Sequence, residues 1–184
     1  LLKKSLIRLN EIMMMGTGAV EIKSGYGLSI EGELKMLRVI KKLKKISPVR
    51  IKATFLGAHA LPNEYNGKKD KFIDLIINEI LPKVAEENLA EYIDVFCEKG
   101  YFDVSDTERI LEAGNKYNLI PKTHVNQFNV IGGVEASLKY NALSVDHLEL
   151  LNDEDLEVLK NSSCMPTLLP GCSFFLNIPY GPAR

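Results

Sequence analysis

The feature that most constrains the fold of this 184-residue chain is a regular alternation of short strand-like runs with amphipathic helical stretches. "GAVEIKSG" (18–25) is short, β-branched and bounded by glycines, as a buried strand should be. From Ser29 the period becomes helical, with Leu34, Leu37, Val39, Ile40 and Leu43 forming an apolar stripe among lysines and glutamates. Ser29 is the expected N-cap, with acidic residues at 31 and 33 behind it, and Pro48 marks the stop. The unit then recurs. "VRIKATFLGA" (49–58) reads as a strand, and a helix follows over about 68–87 with a break or kink expected at Pro82. "EYIDVFCE" (91–98) precedes a helix over 105–118, where Ser105 and Glu108 match a capping box. "LIPKTHV" (119–125) precedes a helix over 132–141, and "ALSVDHLE" (142–149) precedes one over 152–162 opened by Asn152. "CMPTLLPG" (164–171) is one more strand.

Six β-runs, five of them followed by helices, call for a parallel sheet with right-handed crossovers. The chain contains no Gly-x-Gly-x-x-Gly and no P-loop, which removes the motif support for the common nucleotide-binding folds. The fold class expected is α/β: a (β/α)8 TIM barrel lacking its first and last strands. The chain opens on "LLKKSLIRLNEIMMMG" and closes on "NIPYGPAR". Both stretches read as cuts through a larger fold, so residues 1–184 are expected to form a single, incomplete barrel domain. Unpaired strand edges left by such cuts would invite association.

A formal net charge of -1 gives no nucleic-acid footprint. The lysines at 41, 42, 44 and 45 read as the solvated face of a helix. No apolar run reaches the length of a membrane span, and no secretory signal pattern is present. The odd set Cys97, Cys164 and Cys172, without C-x-x-C spacing, suits reduced thiols and a cytoplasmic location. Cys97 reads as inert core.

All three histidines share one address. His59 follows "ATFLGA", His124 follows "LIPKT" and His147 follows "ALSVD". In a parallel barrel the C-terminal strand ends converge on the face where active sites form. Lys23, Ser24, Tyr26, Glu98, Gln127 and Asp146 lie at the same end of their strands. One strand-end histidine is unremarkable, but structural histidines have no reason to choose one rim. Tyr26 reads either as a turn aromatic or as a phenol free to lean into a pocket, since glycines flank it. Asp146 could orient His147 or cap the next helix, and Glu98 could pair with a lysine. The chemistry suggested is metal-assisted hydrolysis, with imidazole as a ligand for zinc or iron and a second histidine moving a proton.

"VEIKSGYGL", "TFLGAHALPNEY", "IDVFCEKGYF", "KTHVNQF", "GGVEASLKYNALSVDHLE" and "PTLLPG" together resemble the imidazolonepropionase family of metal-dependent amidohydrolases, in the right order along nearly the whole chain. The resemblance implies a (β/α)8 barrel with a small β-sandwich built from both chain ends, neither of which falls within this sequence. It implies hydrolysis of 4-imidazolone-5-propanoate to N-formimidoyl-L-glutamate in histidine degradation, with one divalent metal, zinc or iron. Carried over by position, His124 is the metal ligand, and Tyr26, His59 and Gln127 contact substrate. His59, His147 and Gln127 form the catalytic set, with a general-base role for Gln127 unsupported because relatives can carry glutamate there. The family's His-x-His pair, its aspartate ligand and a substrate-binding arginine lie outside this sequence, so the 184 residues alone are expected to be inactive. A homodimer is among the states the resemblance allows. The competing readings are another cyclic amidohydrolase or deaminase of the same superfamily, and a non-catalytic piece of barrel.

Overall fold

A computed structural model describes residues 1–183. Six parallel strands form one sheet in sequential order: β1 (Ala19–Lys23), β2 (Arg50–Ala58), β3 (Tyr92–Cys97), β4 (Ile120–Val125), β5 (Ser144–His147) and β6 (Met165–Leu168). Sequential parallel pairing with a helical crossover between neighbours is the pattern of a barrel wall, and the expected α/β class is the one observed. Among the described residues β1 and β6 each pair on one side only.

Side-chain alternation divides the sheet into two unlike faces. Ile51, Ala53, Phe55, Ile93 and Val95 face the helices and merge with Leu37, Ile40, Leu43, Phe72, Ile76 and Ile110 into the main core. Val125, Val145, Val134 and Leu159 continue it at the far end of the sheet. The opposite face is polar: Glu21, Lys23, Thr54, Asp94, Lys122, His124 and Asp146 reach one another across five strands. A barrel interior is the one place where such a layer can be enclosed and still fully paired.

The helices are α1 (Leu2–Met14), α2 (Ile30–Ile46), α3 (Lys69–Leu75), α4 (Leu81–Glu86), α5 (Val104–Lys116), α6 (Gly133–Lys139), α7 (Asp153–Lys160) and α8 (Pro170–Leu176). Ser29 and Asn152 cap α2 and α7 as expected, their side chains accepting from Gly32 and Asp155. The helix expected over 68–87 is interrupted by a π-turn, Ile76–Ile80, between α3 and α4, and Pro82 falls in the first turn of α4. Proline lacks an N–H, so the wider turn absorbs the broken ladder. Three expectations are corrected. The capping box of α5 is Asp103 with Asp106, not Ser105 with Glu108. After β6 the chain turns into α8 at Pro170, where no helix was expected. Of the four clustered lysines, only Lys42 and Lys45 are solvated; Lys41 bonds the Glu87 carbonyl and Lys44 the Glu91 carboxylate.

Candidate active site

The three histidines meet at one mouth of the sheet. Phe96, near the end of β3, stands between two of them, its ring 6.2 Å from His59 and 6.2 Å from His124. His147 continues the row, 5.2 Å from His124. Tyr26 closes the other end, edge-on to His59 at 5.0 Å, with 76 % of its surface exposed. The expected convergence is thus observed.

Each member is placed by local structure. The register of β2 against β3 slips between Phe55 and Ala58, immediately before His59, and such bulges redirect the following side chain. His59 Nδ1 lies 3.0 Å from the Gly25 carbonyl oxygen, to which only a protonated Nδ1 can bond. This leaves Nε2 toward the mouth. Gly25 holds φ +101°, and a Cβ there would lie 2.7 Å from the Leu56 carbonyl oxygen. The strand-end glycine therefore brings β1's loop against β2 where no other residue fits. Ser24 adds a second tie, its Oγ accepting from the Leu56 N–H at 3.0 Å. Buried Glu33, expected only as a first-turn acid of α2, accepts from the N–H groups of Gly25, Gly27 and Leu28. It holds the whole turn that carries Tyr26.

His124 rests on a buried network that sequence reasoning did not identify. Its Nδ1 is 3.0 Å from Asp94 Oδ1, and Asp94 is fully buried. Lys23 Nζ lies 2.7 Å from Asp94 Oδ2, 3.3 Å from Asp146 and 2.9 Å from Glu21. Burial opposes ionisation of Asp94, but the charges of His124 and Lys23 outweigh it and hold the carboxyl well below the usual range. Burial likewise opposes the Lys23 charge, and Asp94, Asp146 and Glu21 overcome it and raise the ammonium above the usual lysine range. Asp94, His124 and Asp146 bring donor atoms within 4.8 Å of one another, as a metal site would. The Lys23 ammonium already sits between the two carboxylates, so this cluster is neutralised without a metal ion. What it does instead is fix the His124 ring by a carboxylate at Nδ1, leaving Nε2 free to ligate. That is the outer-shell arrangement found behind metal-binding histidines, and His124 therefore fits a metal ligand.

Asp146 neither orients His147 nor caps a helix; it accepts from Ser144 Oγ at 2.9 Å and pairs with Lys23. Glu98 pairs with no lysine. It accepts from the N–H groups of Lys99, Phe128 and Asn129 and from the Asn129 amide, fastening the β4–α6 loop that carries Gln127. His147 has φ +88°, a strained conformation for a non-glycine residue of the kind that clusters at functional sites. Burial first, and neighbouring His124 second, lower its pKa, so the ring is neutral and able to take a proton. Gln127 Nε2 lies 3.5 Å from Cys172 Sγ. Cys97 is buried and its thiol is pushed up to about 11 by burial, which agrees with an inert core residue.

No family model matches the chain. Curated relatives do. The imidazolonepropionase of Flavobacterium psychrophilum is 63% identical over 98% of this chain and 44% of its own length. That of Christiangramia forsetii is 63% identical over 99% of this chain and 44% of its own. The chain therefore spans less than half the length of the curated relatives it matches. Among solved structures, guanine deaminase from C. acetobutylicum, determined with guanine in its active site, superposes with a TM-score of 0.70 at 16% identity, covering 100% of this chain and 47% of that one. At that identity the likeness shows the fold alone, a parallel β/α barrel wall. The sequence motifs and these relatives agree on the resemblance to imidazolonepropionase.

Proposed function

We propose that this chain supplies the central barrel wall of an imidazolonepropionase, which hydrolyses the cyclic amide of 4-imidazolone-5-propanoate to N-formimidoyl-L-glutamate. The observation that carries the reading is the single row of His59, His124 and His147 at the C-terminal mouth, in a chain 63% identical to proteins of that name. The remaining barrel strands and the small β-sandwich come from residues outside this sequence, and the complete protein is read as a cytoplasmic enzyme, a homodimer being among the states the family resemblance allows.

His124 Nε2 is one ligand of a divalent ion, zinc or iron; Asp94 keeps the proton on Nδ1. Such an ion, when bound, supplies Lewis-acid chemistry, making water nucleophilic near neutral pH. The neutral His147 ring takes or passes a proton as water adds to the ring carbonyl and the amide C–N bond breaks. His59 presents Nε2 to the carbonyl oxygen. Because Nδ1 already donates to the Gly25 carbonyl, donation from Nε2 requires the protonated ring. An oxyanion donor of this kind contributes about 3–4 kcal/mol to the transition state. Gln127 and the Tyr26 phenol contact substrate by hydrogen bonds. An amide cannot act as a general base, which leaves that role to His147.

The test is turnover by the complete polypeptide on 4-imidazolone-5-propanoate, hydantoins, guanine and cytosine. Hydrolysis of the first alone is expected, and turnover of another cyclic amide or a base in its place would overturn the substrate. His59→Ala should retain metal and lose about 10²–10³-fold in kcat; unchanged kinetics would remove His59 from the mechanism.

A further inference from the structure

His147, the last imidazole of the row, shares a second cluster with Glu149 and Cys172, two side chains to which the proposed hydrolysis gives no role. A ring nitrogen of His147, a Glu149 carboxylate oxygen and Cys172 Sγ lie within 4.8 Å of one another. Two of these side chains are almost wholly enclosed, at 8 % and 4 % exposure for His147 and Glu149. His147 Nδ1 and Glu149 Oε2 are also among the few buried polar atoms with no hydrogen-bond partner in the described residues. Such atoms are costly to leave unsatisfied, at about 1–3 kcal/mol each. They sit 3.3 Å apart. That is about the edge of a tetrahedron with 2.0–2.1 Å nitrogen and oxygen bonds to zinc. The other carboxylate oxygen, Oε1, accepts from Ser173 Oγ at 3.1 Å, which fixes the carboxylate as outer-shell partners fix ligands. Cys172 sits in the first turn of α8, and its sulfur also receives the Gln127 amide.

We infer that His147, Glu149 and Cys172 form a second divalent-cation site, selective for a thiophilic ion such as zinc and separate from the ligand position at His124. A nitrogen, an oxygen and a sulfur donor, with a fourth position left to water, form a zinc-type set; magnesium and calcium would find only one oxygen there. Occupancy holds the His147 ring at Nδ1 against Glu149. Resting on the proposed role of His147, zinc in excess of the resident metal then inhibits hydrolysis by immobilising the group that moves the proton.

The probe is cobalt(II), titrated into the complete polypeptide already saturated with its resident metal. One further equivalent should bind, with the near-ultraviolet charge-transfer absorption of a cobalt–thiolate bond. Cys172→Ala should abolish that absorption and weaken the second equivalent by more than about tenfold, while keeping the first. Glu149→Gln, which leaves the thiol in place, should weaken the same equivalent and retain the absorption at saturating cobalt. Absence of a second equivalent in the unsubstituted protein, or a second equivalent bound by both variants as tightly as by the unsubstituted protein, would overturn the site. The absorption needs no substrate, so it stands or falls independently of the hydrolase reading. Zinc inhibition that persists undiminished in Cys172→Ala would show that it arises elsewhere.

Discussion

Asp94 decides how His124 faces the mouth. It is buried in mid-strand, bonded to the ring on one side and to Lys23 on the other. Removing one partner of a buried charged pair strands the other, at a cost of about 3–5 kcal/mol. In the complete polypeptide Asp94→Asn should weaken metal binding by about 10–100-fold, as loss of an outer-shell carboxylate does. Metal content by competition with a chelator checks this, and unchanged affinity would separate Asp94 from the site. The histidines were legible because strand ends can be counted from a β–α pattern. Asp94 was not, since "YIDVFC" reads as a run buried on both faces. Its one charged residue inside an apolar strand was the available signal: period-two alternation puts it on the same face as Phe96 and opposite Val95. Glu149 was hidden for a different reason. The left-handed backbone at His147 and Leu148 ends the ladder and turns Glu149 inward, which residue types do not announce.

At the scale of elements, the turn between β1 and α2 shows how a helix start builds a site. Gly25, Gly27 and Leu28 point their N–H groups at Glu33, four residues past the cap. Glu33→Gln replaces a three-bond carboxylate acceptor with an amide and should cost about 1–3 kcal/mol. Hydrogen exchange should quicken at the Gly25, Gly27 and Leu28 amides first; protection equal to the unsubstituted protein would show that the turn stands without it. The start of α2 was legible from Ser29, whereas that of α5 was misplaced by two residues. Both Asp103-x-x-Asp106 and Ser105-x-x-Glu108 satisfy the capping pattern. The choice is made by the preceding loop, where the Glu98 N–H bonds the Phe102 carbonyl at 2.9 Å and delivers Asp103 to the cap. The start of α8 was missed because Pro170-Gly171 reads as a terminator, although proline in a first helical turn is equally a beginning.

Across the whole molecule, the inner face is held by ions shared between distant strands: Glu21 with Lys23 and Lys122, and Lys23 with Asp94 and Asp146. Glu21 and Asp94 have lowered pKa values, burial being outweighed by Lys23, Lys122 and His124. Their stabilisation is present above the unfolded carboxylate values of about 4 and is lost as pH falls through the lower folded values. Lys23 is raised, so its contribution is complete below about 10.4 and is lost only as pH rises through its higher folded value. Denaturant midpoints should therefore hold through neutrality, decline modestly below about pH 6.5 as protonation of His147 is opposed by burial, and fall further below about pH 4; a midpoint unchanged in acid would contradict the paired interior. Anomalous diffraction from metal-loaded complete protein shows whether one mouth gathers the three imidazoles around a metal held by His124. A peak is expected at ligating distance from His124 Nε2, in a cavity that His59 and His147 also face. Absence of a peak at His124, or one bonded through Nδ1 with Asp94 displaced, would contradict it.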